Sequence, residues 1–439
     1  MHSLLIFSEK ATPRLEYVCR LIFSQHLGLD FYITTDSQEF KAYNGVKIVY
    51  AAIQTEDDIC IEPSGLLFET GINKQEVKTG VLNGITVPFF TGKGSLPFDV
   101  FTAVFYLVTR YEEYLPFDSN QYGQFKATDS LAYKLGFLDK PVVDIWLEDL
   151  KQLLAAKYPI LGFKKKGFTT TFTYDIDVAY KYKGRPFTLT FINIVKDVLK
   201  LNFSAIKKRL AVLNNTVADP FDTYGHIASI KEKQKHNLLY FFLLGPKNKY
   251  NRNLNPYSSS MQLLMQKLSE KEITGIHPSY FANNSFLQLQ HEKLLLESVI
   301  NKKVSVGRQH YLRLVFPNTY ENLIQAGITD DYTLGFAELP GFRAGTCSAF
   351  KFYNLKNESE TALTLHPNTF MEGTFIEDLK LSAADSLPLM KQLIDEVKQV
   401  NGHFISIWHN HSLSNQNEWA GLREIHDAVA EYAATSNSN

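Results

Sequence analysis

Apolar residues along this chain fall into short runs that predict strands, with longer stretches of helical spacing between them. LLIF (4–7) predicts a strand. TPRLEYVCRLIFSQHLG (12–28) predicts a helix with proline in its first turn and glycine at its end. DFYITT, VKIVYAA and ITVPFF predict further strands. Asp99 caps a helix that runs through Tyr114 and is stopped by Pro116, and another helix follows Pro141. From Phe168 the alternation becomes longer and more regular. Strand-like runs end at Tyr174, Leu243, Ile276, Val306, Ile328 and Trp408, with amphipathic runs such as SSMQLLMQKLSEK and LPLMKQLIDEVKQV between them. Repeated strand–helix–strand units predict an α/β barrel or a related parallel sheet. The basic stretch KKKGF (164–168) reads as a solvated junction. It divides the chain into a smaller α/β domain, 1–165, and the larger module, 166–439.

Composition narrows the function classes. The 439 residues exceed one ordinary core, which agrees with two domains. Forty-five basic residues face 46 acidic ones, a net charge of −1, which makes no electrostatic case for nucleic acid or an anionic membrane. Cys19, Cys60 and Cys347 are odd in number and widely spaced, so they read as reduced thiols. The start, MHSLLIFSEK, lacks a basic segment and a small-residue cleavage site. The apolar run VFTAVFYLV (100–108) is too short to span a bilayer. The expectation is a soluble, cytoplasmic protein without membrane insertion. Glu112 and Glu113 form a tempting carboxylate pair, but helix neighbours point to different faces, so a solvated helix end is the better reading.

In a parallel barrel the loops after the strands build the site. Here those strand ends carry polar residues that a core would reject. TFTYDID ends in Asp175 and Asp177, and GIHPSY carries His277. GRQHYLR carries Arg308, His310 and Tyr311. TDDYTLGF carries Asp330 and Asp331 and leads to Arg343, and ISIWHNH carries His409 and His411. Asp175 and Asp177, at i and i+2 on an extended segment, point the same way. A D-x-D pair can hold a metal on a nucleotide sugar, act as nucleophile and acid in a phosphatase, or supply one metal ligand and one general base. The phosphatase reading lacks its usual Gly and Thr after DIDVAY, and the glycosyltransferase reading leaves the histidines unexplained. A metal with mixed His and Asp ligands uses both, because Zn²⁺ accepts nitrogen and oxygen donors. A metal-free glycosidase pair is the poorest fit, since two carboxylates on one strand sit too close for two-sided attack.

In that order, TFTYDID, GIHPSYF, RQHY, DYTLGF with PGFRAGT, and SIWHN resemble the five motifs of polysaccharide deacetylases of the NodB-homology type, carbohydrate esterase family 4. The segment before them resembles an uncharacterised domain that precedes such modules in some Bacteroidetes proteins. The resemblance implies a deformed (β/α) barrel and a hydrolase of C–N bonds other than peptide bonds. It would remove acetyl groups from an acetylated saccharide, N-acetyl first, by attack of a water activated by a divalent metal, zinc first. By the same resemblance Asp175 is the general base, Asp177 and His277 are metal ligands, Arg308 holds the base, and His409 is the general acid. Tyr311, Asp331, Arg343 and Trp408 are then candidates for substrate binding. Asp331 matches the aspartate that orients the arginine in relatives. Gly341 and Gly345, which flank Arg343, allow close backbone approach.

The sequence departs from the family at one ligand. The usual metal pair is H-x-x-x-H, and the second position here is Phe281. His310 is expected to supply the missing nitrogen, because adjacent strands lie about 5 Å apart. His236 sits at the wrong end of its strand. The alternative is a decayed barrel that binds carbohydrate without catalysis.

Overall fold

The computed structural model describes residues 3–52 and 58–435. Strands β1 (Leu4–Ser8), β2 (Phe31–Thr34), β3 (Val46–Tyr50) and β4 (Ile59–Ile61) form a parallel sheet of order β2-β1-β3-β4. The helix expected over 12–28 starts at Pro13, capped by the Thr12 hydroxyl, turns to π geometry from Arg20 to Leu27 and stops at Gly28 with φ 73°. β5 (Thr79–Leu82) and β6 (Ile85–Pro88) pair as an antiparallel hairpin.

The larger sheet contains β7 (Thr169–Ile176), β8 (Asn237–Leu243), β9 (Ile273–His277), β10 (Val306–Gly307), β11 (Asp330–Asp331), β12 (Phe350–Asn354), β13 (Ser359–Leu365), β14 (Phe370–Met371) and β15 (His403–His409). Their order is β12-β13-β11-β10-β9-β8-β7-β15-β14, and every pair except β12–β13 is parallel. The expected α/β architecture is present, but the strand pairing runs from β12 to β14 without closing between them. β7 reads TTTFTYDI, and its β-branched and aromatic residues suit a strand paired on both sides. Register carries the site: Asp175 lies opposite His409 of β15 and Phe241 of β8. Gly275 of β9 leaves room for the Phe241 ring, which a Cβ would meet at 2.7 Å.

The small sheet lies before the 164–168 junction and the large sheet after it, yet one hydrophobic core runs through both. Tyr17 and Phe105 from the first segment pack on Tyr353 of β12, with ring centroids 4.8 and 5.4 Å apart. The junction itself is pinned: the Lys164 amide donates to the Leu27 carbonyl, and Lys166 Nζ lies 2.7 Å from His26 Nδ1. Cys19, Cys60 and Cys347 are all buried. Among the described residues no helix is long and apolar enough to cross a membrane.

Two expectations about charged residues are corrected here. Glu113 is buried rather than solvated, because Arg110 Nε (2.7 Å), Arg343 Nε (2.9 Å) and Arg343 Nη2 (2.5 Å) all donate to its carboxylate. Glu112 is tied by Arg110 Nη2 at 2.8 Å and by the Leu131 amide at 2.7 Å. Arg343 is therefore no substrate clamp. It spends its fork on Glu113 and the Gly335 carbonyl, 2% exposed. The flanking glycines do permit close approach, but to the first segment: a Cβ on Gly341 would meet the Leu138 carbonyl at 2.4 Å, and one on Gly345 would meet Leu107 at 2.9 Å.

Candidate metal centre

The polar residues at the strand ends converge. Asp177, just past β7, points Oδ1 at His277 Nε2 (3.4 Å) and His310 Nδ1 (3.6 Å), and Oδ2 at His409 Nε2 (3.6 Å). His277 closes β9, and His310 follows β10, so neighbouring strands deliver the two imidazoles. Their facing nitrogens, Nε2 of His277 and Nδ1 of His310, are 3.0 Å apart. The second nitrogen of each ring sits on a backbone carbonyl: His277 Nδ1 on Arg308 (2.7 Å), His310 Nε2 on Tyr250 (3.2 Å). A carbonyl can only accept, so those nitrogens carry the protons and the facing nitrogens present lone pairs. Two lone pairs and the Asp177 Oδ1, which is buried without a hydrogen-bond partner, surround one point. These three ligand atoms lie within 4.8 Å of one another. Such a cluster repels itself unless a cation or a proton sits among it, and two nitrogens with one carboxylate oxygen suit zinc. Carbonyls on the outer nitrogens are the supports that fix metal-binding imidazoles.

Electrostatics agree with that donor set. Burial pushes His310 down to about 4, keeping it neutral and able to ligate. Burial would raise the Asp177 carboxyl, but His310, His277, His409 and His411 outweigh it and hold it well below the usual carboxylate range. Phe281 is exposed at 54%, with its ring against Tyr250 and Tyr280. His236 lies at the start of β8, bound to Thr170 Oγ1 and the Ala430 carbonyl.

Asp175 is 2% exposed, and its Oδ1 accepts from Arg308 Nη1 at 2.8 Å while Oδ2 lies 3.7 Å from His277 Nε2. Arg308 is wholly buried, with its guanidinium 4.5 Å from the Phe241 ring and Nε on the Tyr332 carbonyl. On the opposite side of Asp177, His409 donates its backbone amide (2.8 Å) and Nδ1–H (2.9 Å) to Glu372 Oε1. Burial alone would lower His409, but the Glu372 carboxylate overrides it and pushes it up to about 10. Sequence reasoning missed Glu372. It follows β14, whose two residues are too few to show an alternating pattern. It also missed Asn410, whose amide ties the carbonyls of Val178, Ala179 and Phe221 beneath the site.

The remaining candidates divide. Tyr311 lies at the rim with φ 62°, its ring stacked on Tyr122 of the first segment at 4.9 Å. Tyr250 stacks on Tyr280 at 3.9 Å beside them, so four tyrosines edge the mouth. Asp331 is not at the mouth. It lies within β11, fully buried, accepting from the Thr333 amide (3.0 Å) and hydroxyl (2.6 Å), and burial raises it to about 6. The strand expected to end at Ile328 instead pairs through Asp330 and Asp331, which turns this carboxylate inward. Trp408 is also removed from substrate binding: it is wholly buried, with Nε1 on the Ser406 hydroxyl at 3.0 Å, because alternation along β15 turns it away from His409. His411 is partly buried, and burial with the neighbouring His409 lowers it to about 4.

Comparison with known proteins adds the following. A family of unknown function, DUF7033, matches residues 4–159. No curated protein matches the chain. Among solved structures, a candidate polysaccharide deacetylase from Mycobacterium smegmatis aligns at 13% identity and TM-score 0.39, over 61% of this chain and 85% of that one. A polysaccharide deacetylase from Bacillus cereus aligns at 12% identity and TM-score 0.28, over 61% and 88%. A CE4 family pseudoenzyme from Bacillus anthracis aligns at 11% identity and TM-score 0.29, over 61% of this chain and 62% of that one.

Proposed function

We propose that this chain is a metal-dependent deacetylase of an acetylated carbohydrate, N-acetyl first, built on a barrel-like sheet of the NodB type. The observation that carries the reading is the convergence of Asp177, His277 and His310 around the partnerless Asp177 Oδ1. These three would hold the ion, with zinc the best match to the donors. When bound, such an ion polarises an acetyl carbonyl and lowers the pKa of water toward about 7. Asp175, aimed by Arg308, takes the proton of the attacking water. As the new C–O bond forms and the C–N bond breaks, His409 delivers a proton to the departing amine, giving acetate and a free amino sugar. A histidine held protonated by Glu372 is suited to that delivery. The tyrosines Tyr122, Tyr250, Tyr280 and Tyr311 offer amphipathic faces on which a sugar ring can rest.

The deciding experiment pairs elemental analysis of the purified protein with acetate release from chitooligosaccharides and peptidoglycan fragments. The reading expects about one zinc per chain after reconstitution and acetate formation that Asp175→Asn abolishes while metal content stays. A chain that takes up neither Zn²⁺ nor Co²⁺ refutes it. A metal-loaded chain that binds glycan and releases no acetate would make it a carbohydrate-binding protein instead.

A further inference from the structure

Between β7 and β8 the chain makes a helical hairpin, Phe187–Leu199 and Phe203–Leu213. Its base is clamped by Asp219, which is buried and accepts from the amides of Lys181 and Phe221 on Oδ1 and of Tyr182 and Lys183 on Oδ2, all at 2.8–3.1 Å. The base lines a cavity of about 440 Å³ with Leu244–Lys247, the residues that follow β8, so the hairpin rises from the same rim as the candidate metal centre. Beyond that base it contributes no side chain to the main core.

Most of its large apolar residues face outward, with Val212 buried. Phe187 is 83% exposed and Leu199 78%, Leu201 75% and Phe203 62% at the tip, with Phe191 and Leu210 exposed along the sides. Spacing at 187, 191, 195 and 198 makes one stripe on the first helix, and 203, 210 and 213 continue it on the second, with Val217 exposed just beyond. At the tip Leu201 has φ 56°, a region a leucine seldom enters, which turns its side chain to solvent rather than under the hairpin. A patch of this extent is costly to leave in water.

Charge identifies what covers it. Residues 181–213 hold eight lysines and arginines and one acid, Asp197, within a chain whose total is −1. Asp197 is consumed by Arg209 at 2.8 Å. Lys196, Lys200, Lys207 and Lys208 are exposed around the apolar stripe. The overall balance of charge conceals this concentration. A second copy seated on the same face would bring two sets of four lysines together with no free acid on the hairpin to offset them. An anionic lipid surface satisfies both features, since apolar side chains enter the acyl boundary and lysines meet the headgroups.

We propose that the hairpin 187–213 docks the protein peripherally on an anionic bilayer, with the mouth of the metal centre on the docked side. The proposal does not depend on the reaction. It is tested by cosedimentation of the full chain with vesicles of phosphatidylcholine alone and of phosphatidylcholine containing a quarter phosphatidylglycerol. Binding is expected to the second only, weakening as salt is raised through the physiological range. Two variants made only of exposed residues, L199S/L201S/F203S and K196E/K200E/K207E/K208E, should each lose at least tenfold in vesicle binding with unchanged thermal unfolding. Equal binding to both vesicles, no binding to either, or full binding by both variants overturns the proposal. Sedimentation showing a dimer that L199S/L201S/F203S converts to a monomer also overturns it, and assigns the face to a second copy.

Discussion

His409 and Glu372 are joined twice: backbone amide and ring Nδ1–H of His409 both reach the same carboxylate oxygen, Glu372 Oε1, at 2.8 and 2.9 Å. The ring is thereby oriented with Nε2 toward Asp177 Oδ2, 3.6 Å away. If His409 delivers the proton to the leaving group, Glu372 acts through it as a positioning residue. Glu372→Gln is expected to lower kcat at least a hundredfold with KM within a few-fold, the usual scale for lost acid catalysis. Steady-state kinetics on Glu372→Gln, His409→Ala and the double variant check this. The double variant should be no slower than His409→Ala alone; additive losses would mean that Glu372 only stabilises the fold.

The third ligand position gives a second prediction. On the proposed reading His310 fills it from the next strand, while Phe281 is exposed. His310→Ala should cost at least tenfold in zinc affinity by competition with a chromogenic chelator. Phe281→His should leave affinity within about twofold, and adding it to His310→Ala should restore nothing. Rescue by Phe281→His would mean that the loop after β9 can fold the second imidazole inward.

The buried pair Arg343–Glu113 yields a prediction about stability. Removing Arg343 takes away two of the buried hydrogen bonds to Glu113 and leaves Arg110 as its remaining cation, so the cost is up to about 3–5 kcal/mol. Arg343→Met should lower the denaturation midpoint accordingly, and Arg343→Met with Glu113→Gln should recover part of the loss. KM of the folded fraction should stay within a few-fold, since the arginine lies under Phe336 at 4.9 Å rather than at the mouth. A selective rise in KM with unchanged stability would return Arg343 to the substrate.

How much of this was legible in the sequence depends on element length. β7, β8, β9 and β15 are five to eight residues long, and their alternating patterns expose Asp175, Asp177, His277 and His409 as polar ends. β10, β11 and β14 have two residues each, too few to display a period. Alternation therefore shows neither that Asp331 lies within a strand nor that Glu372 follows one. Long-range burial was equally invisible. The Glu112–Glu113 step reads as a solvated helix end until Arg343, more than two hundred residues away, closes on it. The pair-sum of charges likewise hid the basic hairpin, because an average carries no position.

Asp331 supplies the pH prediction. Burial raises its carboxyl to about 6 against an ordinary value of about 3.9 in the unfolded chain. The folded state thus binds the proton more tightly, so the stability this group confers is fully present below pH ~4 and is lost as pH rises through ~6. Over about two units the loss is on the order of 2–3 kcal/mol. Asp331→Asn retains an acceptor for the Thr333 amide and cannot ionise. Unfolding free energies from urea titrations at pH 4 and pH 7 should therefore differ less for Asp331→Asn than for the parent, by about that amount. Groups shared by both chains cancel in the comparison. A parent and variant whose stabilities run parallel across this window would show that Asp331 is already ionised in the fold, held so by Arg308.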